Sequence, residues 1–148
     1  MRGGAACARL AAAATHVSTL ATGTSAYQAP EALSRGHLSR PGDVYSFGIL
    51  MAEMWTRVRP FAGLAIGQVV YGVVYAGARP DLEPPACPPA YAALSRACWA
   101  DDPEARPTFG EVSGALRRML QKALAGARAA AAAAASGGEG GAAGRASG

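Results

Sequence analysis

The sequence predicts a mainly α-helical domain followed by a low-complexity tail. Three observations carry this. The stretch from Tyr27 to Leu124 holds both tryptophans, all five tyrosines and all three phenylalanines. Within it, large apolar residues recur at helical spacing between breaks rich in proline and glycine. No segment has to be a strand. The chain has 148 residues, enough for one domain of ordinary size. Hydrophobic residues make up 51%, but much of that is alanine, so the core has to come from the middle of the chain.

Residues 1–28 are mostly small and hydroxyl-bearing, with glycine at 23, and read as a loop. Ala29-Pro30-Glu31-Ala32-Leu33 looks like a short helix start. Ser39-Arg40-Pro41-Gly42 is turn chemistry, and Asp43 then opens a helix as a cap or first-turn acid. From Val44 to Trp55 the large apolar residues cover nearly every face, which marks a helix enclosed by its domain. Arg59-Pro60-Phe61-Ala62-Gly63 breaks that helix. A second helix is expected over about 64–75, where Ile66, Val69, Val70 and Val73 are spaced by three and four. Residues 79–89 are too rich in proline for a helix interior. A third helix follows over about 89–99, then a turn at Asp101-Asp102-Pro103. The last helix begins near Pro107 or Thr108, passes Leu124 and runs into the alanines at 129–135, since alanine is the best helix former. From Gly137 on, the Gly/Ala/Ser composition predicts disorder. The organisation is therefore a loop over 1–28, a helical body over 29–124, and an Ala/Gly-rich tail over 125–148.

The formal charge is +4, but the basic residues are scattered apart from Arg117, Arg118 and Lys122. A nucleic-acid surface would cluster them and interleave aromatics, so nucleic-acid binding is not expected. Cys7, Cys87 and Cys98 form no CxxC pair and are odd in number, which fits a reducing compartment. No apolar run is long enough for a membrane span. The start lacks acidic residues before Glu31 and carries Arg2 and Arg9, a composition shared with organelle transit peptides.

Four local patterns stand in order. They are Gly23-Thr24-Ser25-Ala26-Tyr27-Gln28-Ala29-Pro30-Glu31, then Asp43-Val44-Tyr45-Ser46-Phe47-Gly48, then Arg59-Pro60-Phe61, and finally Cys98-Trp99 with Asp102-Pro103, Arg106-Pro107 and Phe109. Together they resemble the C-terminal lobe of a protein kinase domain, over roughly residues 7–120. The first resembles the A-P-E end of an activation segment. The second resembles the start of the family's F helix. The third resembles the loop before its G helix, and the fourth the segment between its H and I helices. Cys98-Trp99 and Thr15-His16-Val17-Ser18-Thr19 look most like the tyrosine-kinase-like group, which are mainly Ser/Thr kinases. The resemblance implies a helical C-lobe without the β-sheet of the N-lobe, with residues 1–28 as the remnant of an activation segment and 29–124 as a partial kinase domain.

It also implies roles. Glu31 and Arg106 match a pair that joins the activation segment to the loop between the H and I helices. Arginine suits that task because its fork can hold a carboxylate at two points. Asp43 matches an aspartate that accepts hydrogen bonds from the catalytic loop. Trp99 matches a core tryptophan. Thr24 matches the threonine that contacts the catalytic aspartate, and Tyr27 stands where tyrosine kinases usually carry tryptophan. Both favour Ser/Thr specificity. Ser18, Thr19 and Thr22 fall where activation segments are phosphorylated, although hydroxyls in a loop also serve solubility alone.

Phosphoryl transfer needs a phosphate-cradling loop, a lysine, a catalytic aspartate and metal-binding groups held together. The sequence has no G-x-G-x-x-G, and its first lysine is Lys122. Neither His16 nor His37 is followed by Arg-Asp. Cys7-Ala8-Arg9-Leu10 resembles the segment after D-F-G, which puts Gly4-Ala5-Ala6 at the D-F-G position, where no oxygen ligand for Mg²⁺ is offered. No catalytic or metal residue is therefore assigned, and ATP and Mg²⁺ belong to the parent family alone. Three readings stay open: a fragment of a Ser/Thr kinase, a non-catalytic module binding proteins through the G-helix face and activation segment, or a truncated gene model or remnant. Expected partners are proteins or the remaining kinase parts. The expected compartment is the cytoplasm, including the cytoplasmic part of a larger membrane protein. With the covering parts of a kinase missing, an apolar patch should remain exposed.

Overall fold

A computed structural model of the chain describes residues 25–82 and 87–136. Two units are described separately, one ending at Val112 and one beginning at Ser113. Among the described residues the regular structure is helical, with no strand.

The first unit opens with a 3-10 turn, Ser25–Tyr27, and helix α1, Pro30–Arg35. Pro30 suits the first turn, where its missing N–H costs nothing. Gly36, in the left-handed conformation (φ 67°), ends α1, and its N–H bonds the Ala32 carbonyl. Helix α2, Arg40–Thr56, starts earlier than the sequence suggests. Arg40, Pro41 and Gly42 are its first turn rather than a turn before it. The cap is Ser39, whose hydroxyl accepts from the Gly42 N–H at 3.2 Å, leaving Asp43 as a first-turn acid.

Helices α3, Ile66–Tyr75, and α4, Pro89–Cys98, complete the layer around α2. α2 packs chiefly on α4, and α1 on α3. The α2–α4 approach depends on Gly48: a Cβ there would lie 2.6 Å from Cys98 Cβ and 3.1 Å from the Ser95 carbonyl. Cys98 is fully buried, and burial pushes its thiol up to about 11, so it packs as an inert apolar group. Tyr91 fastens the same junction by donating to the Met51 carbonyl at 2.9 Å. The core gathers Tyr45, Ile49, Ala52, Phe61, Leu64, Val69, Val73 and Trp99.

One expectation is corrected. α2 is not enclosed on all sides. Val44, Tyr45, Gly48, Ile49, Met51 and Ala52 are buried, whereas Leu50 and Met54 are 40% and 50% exposed. An all-round apolar pattern demands cover on both sides. The described residues cover one of them and leave Leu50 and Met54 partly exposed on the other.

A 3-10 turn, Pro103–Ala105, leads to helix α5, Phe109–Ser136. Its first turn is set by Thr108 and Glu111. Glu111 accepts from the Thr108 N–H at 2.7 Å, and Thr108 Oγ1 accepts from the Glu111 N–H at 3.3 Å. Val112 is the last core residue of the first unit. The second unit is the continuation of α5 from Ser113.

Candidate functional site

The densest polar construction in the first unit is built around Arg106. Pro107 forces the residue before it into extended backbone, and Arg106 lies at φ −75°, ψ 140°. Asp102 caps the preceding 3-10 turn by accepting from the Glu104 N–H at 3.0 Å. From this fixed base the Arg106 side chain enters the protein, where it is fully buried.

Each edge of its guanidinium is used. Nε donates to the Ala100 carbonyl at 2.9 Å. Nη1 donates to Glu31 Oε1 at 2.7 Å and to the Pro41 carbonyl at 3.0 Å, and Nη2 donates to Glu31 Oε2 at 3.0 Å. One cation therefore joins the first turn of α1, the first turn of α2 and the loop after α4. Glu31 and Arg106 are 75 positions apart and meet in the two-point geometry that a carboxylate and guanidinium favour. Burial alone would raise the Glu31 carboxyl. The hydrogen bond and charge of Arg106, with a bond to its own backbone, outweigh it and hold the carboxyl below its ordinary value.

The sequence reading missed a second arginine. Arg79 donates through Nε to the Trp99 carbonyl at 3.3 Å and through Nη1 to the Ala78 carbonyl at 2.9 Å. Its Nη2 reaches Asp101 Oδ1 at 2.5 Å. The guanidinium carbons of Arg79 and Arg106 each lie 5.1 Å from the Tyr45 ring centroid. The dipeptide Arg79-Pro80 repeats Arg106-Pro107, but Arg40-Pro41 and Arg59-Pro60 repeat it too, so it does not single out Arg79. Tyr45 is fully buried, and its hydroxyl has no hydrogen-bond partner among the described residues. Burial pushes it up to about 12, against the pull of the two arginines.

The end of the loop region is tied separately. Tyr27 donates to Glu53 Oε2 at 2.5 Å, and Ser46 Oγ donates to the Tyr27 carbonyl at 2.8 Å. Burial first, then the Glu53 bond and charge, raise the Tyr27 hydroxyl above its ordinary value.

Asp43 is exposed at the start of α2 and borders an open cavity of about 560 Å³ that Arg40, Glu104, Thr108 and Phe109 also line. Trp99 is buried in the core. Thr24, Ser18, Thr19 and Thr22 lie outside the described residues, as do Gly4, Ala5 and Ala6. Among the described residues no group of three or more His, Cys, Asp or Glu is arranged to hold a metal, and no helix is long and apolar enough to cross a membrane.

Comparison with known proteins agrees with this layout. The family of protein tyrosine and serine/threonine kinases matches residues 7–116. The chain belongs to that family, as part of a protein kinase domain. Serine/threonine/tyrosine-protein kinase HT1 of Arabidopsis thaliana is 38% identical over 96 residues, which cover 65% of this chain and 24% of that protein. Mitogen-activated protein kinase kinase kinase 11 of Homo sapiens is 36% identical over 104 residues, 70% of this chain and 12% of the kinase. Cyclic GMP-binding protein C of Dictyostelium discoideum is 40% identical over 96 residues, 63% of this chain and 4% of that protein. The chain thus spans a quarter or less of these relatives.

Proposed function

We propose that the chain is the substrate-side platform of a Ser/Thr protein kinase, holding the end of an activation segment and supplying no phosphate-transfer group itself. The observation that carries this is the buried Arg106, which clamps Glu31 at two points and fastens both α1 and α2 to the loop after α4. A platform of this kind positions a peptide against catalytic groups that come from elsewhere. Catalysis by positioning requires a rigid base, and a buried, fully bonded arginine is one. On this reading Asp43 and the cavity beside it seat the catalytic loop of a whole domain, Thr24 faces that loop, and Ser18, Thr19 and Thr22 are sites where phosphate orders the segment. ATP and Mg²⁺ would bind the complementary parts. The compartment would be the cytoplasm.

A second reading, a non-catalytic protein-binding module, draws on α3. It leaves Ile66, Tyr71 and Tyr75 exposed, with the two tyrosine rings 5.7 Å apart. Aromatic surface of this type is favoured in protein interfaces.

Two preparations separate the readings: the purified chain, and the same chain joined behind the N-lobe and catalytic loop of the kinase HT1. The isolated chain should give no Mg²⁺-ATP-dependent transfer to a protein substrate. The chimera should transfer, and should lose transfer on Arg106→Ala. A folded chimera that is inactive with Arg106 intact would overturn the platform reading in favour of the binding module.

A further inference from the structure

We propose that α5, from residue 113 onward, is an interfacial helix that lies on an anionic lipid surface. Leu116, Met119, Leu120, Ala123, Leu124 and Ala127 fall on one side of this helix, and Ala130, Ala131 and Ala134 continue the same side. Arg117, Arg118, Lys122 and Arg128 fall on the other side, and no acidic residue occurs between Glu111 and Glu139. Such a stripe is most often a core face. Here no residue from 113 to 135 is buried: Leu116 and Met119 are half-buried, and every residue from 120 to 135 is exposed, Leu120 and Leu124 at 59% and 49%.

The charge decides what covers it. Four cations without a single anion repel a second copy of the same helix and seek a negatively charged surface. The sizes decide between a protein groove and a lipid surface. A groove selects a helix through large anchors, aromatic ones above all. Residues 110–136 contain no aromatic residue, and the stripe narrows to alanine beyond Leu124. A lipid surface asks only for apolar area flanked by cations, without shape matching. The alanine run favours the helix before it docks, so adsorption does not have to order the chain.

The test is co-sedimentation of the full chain with vesicles. With about one-third phosphatidylserine in phosphatidylcholine at ~0.1 M salt, the chain should partition to the vesicles, and pure phosphatidylcholine should leave it in solution. Each cation near such a surface strengthens binding on the order of fivefold, so the variant R117Q/R118Q/K122Q/R128Q should bind roughly a hundredfold or more weakly. L120E/L124E changes two exposed side chains, so far-UV circular dichroism should keep its helix signal while binding falls about tenfold or more. Three results would each overturn the proposal. One is failure to bind anionic vesicles. Another is equal binding by L120E/L124E together with equal binding to a duplex oligonucleotide, which makes the surface a general polyanion site. The third is stable capture by a soluble acidic helix-binding protein without partition to vesicles.

Discussion

Removing the Arg106 side chain should nearly unfold the first unit. Arg106→Ala strands the Glu31 carboxylate, whose side chain is 15% exposed, and takes the donor from the carbonyls of Ala100 and Pro41. Breaking a buried pair on one side costs about 3–5 kcal/mol, because the remaining charge has no partner. The two carbonyls gain water as the space opens, so their loss adds little more than about 1 kcal/mol. A total of about 4–6 kcal/mol is a large share of the ~5–15 kcal/mol available to a domain. Glu31→Ala should cost about as much, since it strands a fully buried guanidinium. The double variant should cost far less than the sum, with a coupling of about 3 kcal/mol at this range of burial. Urea unfolding followed by circular dichroism gives all three values. The pair also sets an acid limit. The Glu31 carboxyl titrates lower in the folded state than its ordinary 4.5. Its contribution is therefore complete above that value and is lost as pH falls through the lower, folded one. Glu31→Gln should flatten this part of the acid profile. Additivity of the single variants within ~0.5 kcal/mol would refute the coupling on which the reasoning rests.

Two further substitutions probe the core. Gly48→Ala should destabilise by about 1–3 kcal/mol, because the new methyl would meet Cys98 Cβ at 2.6 Å and α2 and α4 would have to separate; urea midpoints check this, and an unchanged midpoint would mean that the two helices do not pack this closely. Tyr45→Phe keeps the ring beside both arginines and removes a buried hydroxyl that has no hydrogen-bond partner among the described residues, so stability at neutral pH should rise by about 1 kcal/mol. The hydroxyl is raised from 10.0 to about 12 in the folded state, so wild-type stability is complete below the lower value and falls as pH rises through the upper one. Tyr45→Phe should lose that share of the alkaline decline, and a loss of stability at pH 7 would show that the hydroxyl is bonded.

Much of the fold was legible because its determinants are local. Proline at 30 and 89 fixes helix starts. Apolar spacing gave α3, and alanine content gave the length of α5. The start of α2 was misread because Pro41-Gly42 signals a turn as strongly as a first turn, and only the Ser39 hydroxyl on the Gly42 N–H separates the two. The pair Glu31–Arg106 was legible only through motif resemblance, since nothing local to either residue specifies a partner 75 positions away. Arg79 escaped for the same reason in reverse. It binds carbonyls of Val73, Ala78 and Trp99, and a carbonyl carries no side-chain signature in a sequence.

The two arginines explain why a small helical layer can hold a loop end accurately. Short helices joined by proline-rich segments leave carbonyls at their ends that no neighbouring N–H reaches. Apolar packing cannot satisfy them, and Trp99 and Tyr45 are both buried. A guanidinium solves this with five donors in one plane, and its face rests on the Tyr45 ring. Arg79 secures the segment after α3, and Arg106 secures α1, α2 and the loop after α4. Because both converge on Tyr45 of the central helix, the loop ends are fixed relative to one rigid strut and not merely to each other. The Tyr27–Glu53 and Ser46–Tyr27 bonds extend the same strut to residues just after Thr24. Polar ties on an apolar strut are directional where packing is not. That combination suits the platform proposed above, which has to hold a peptide segment in register.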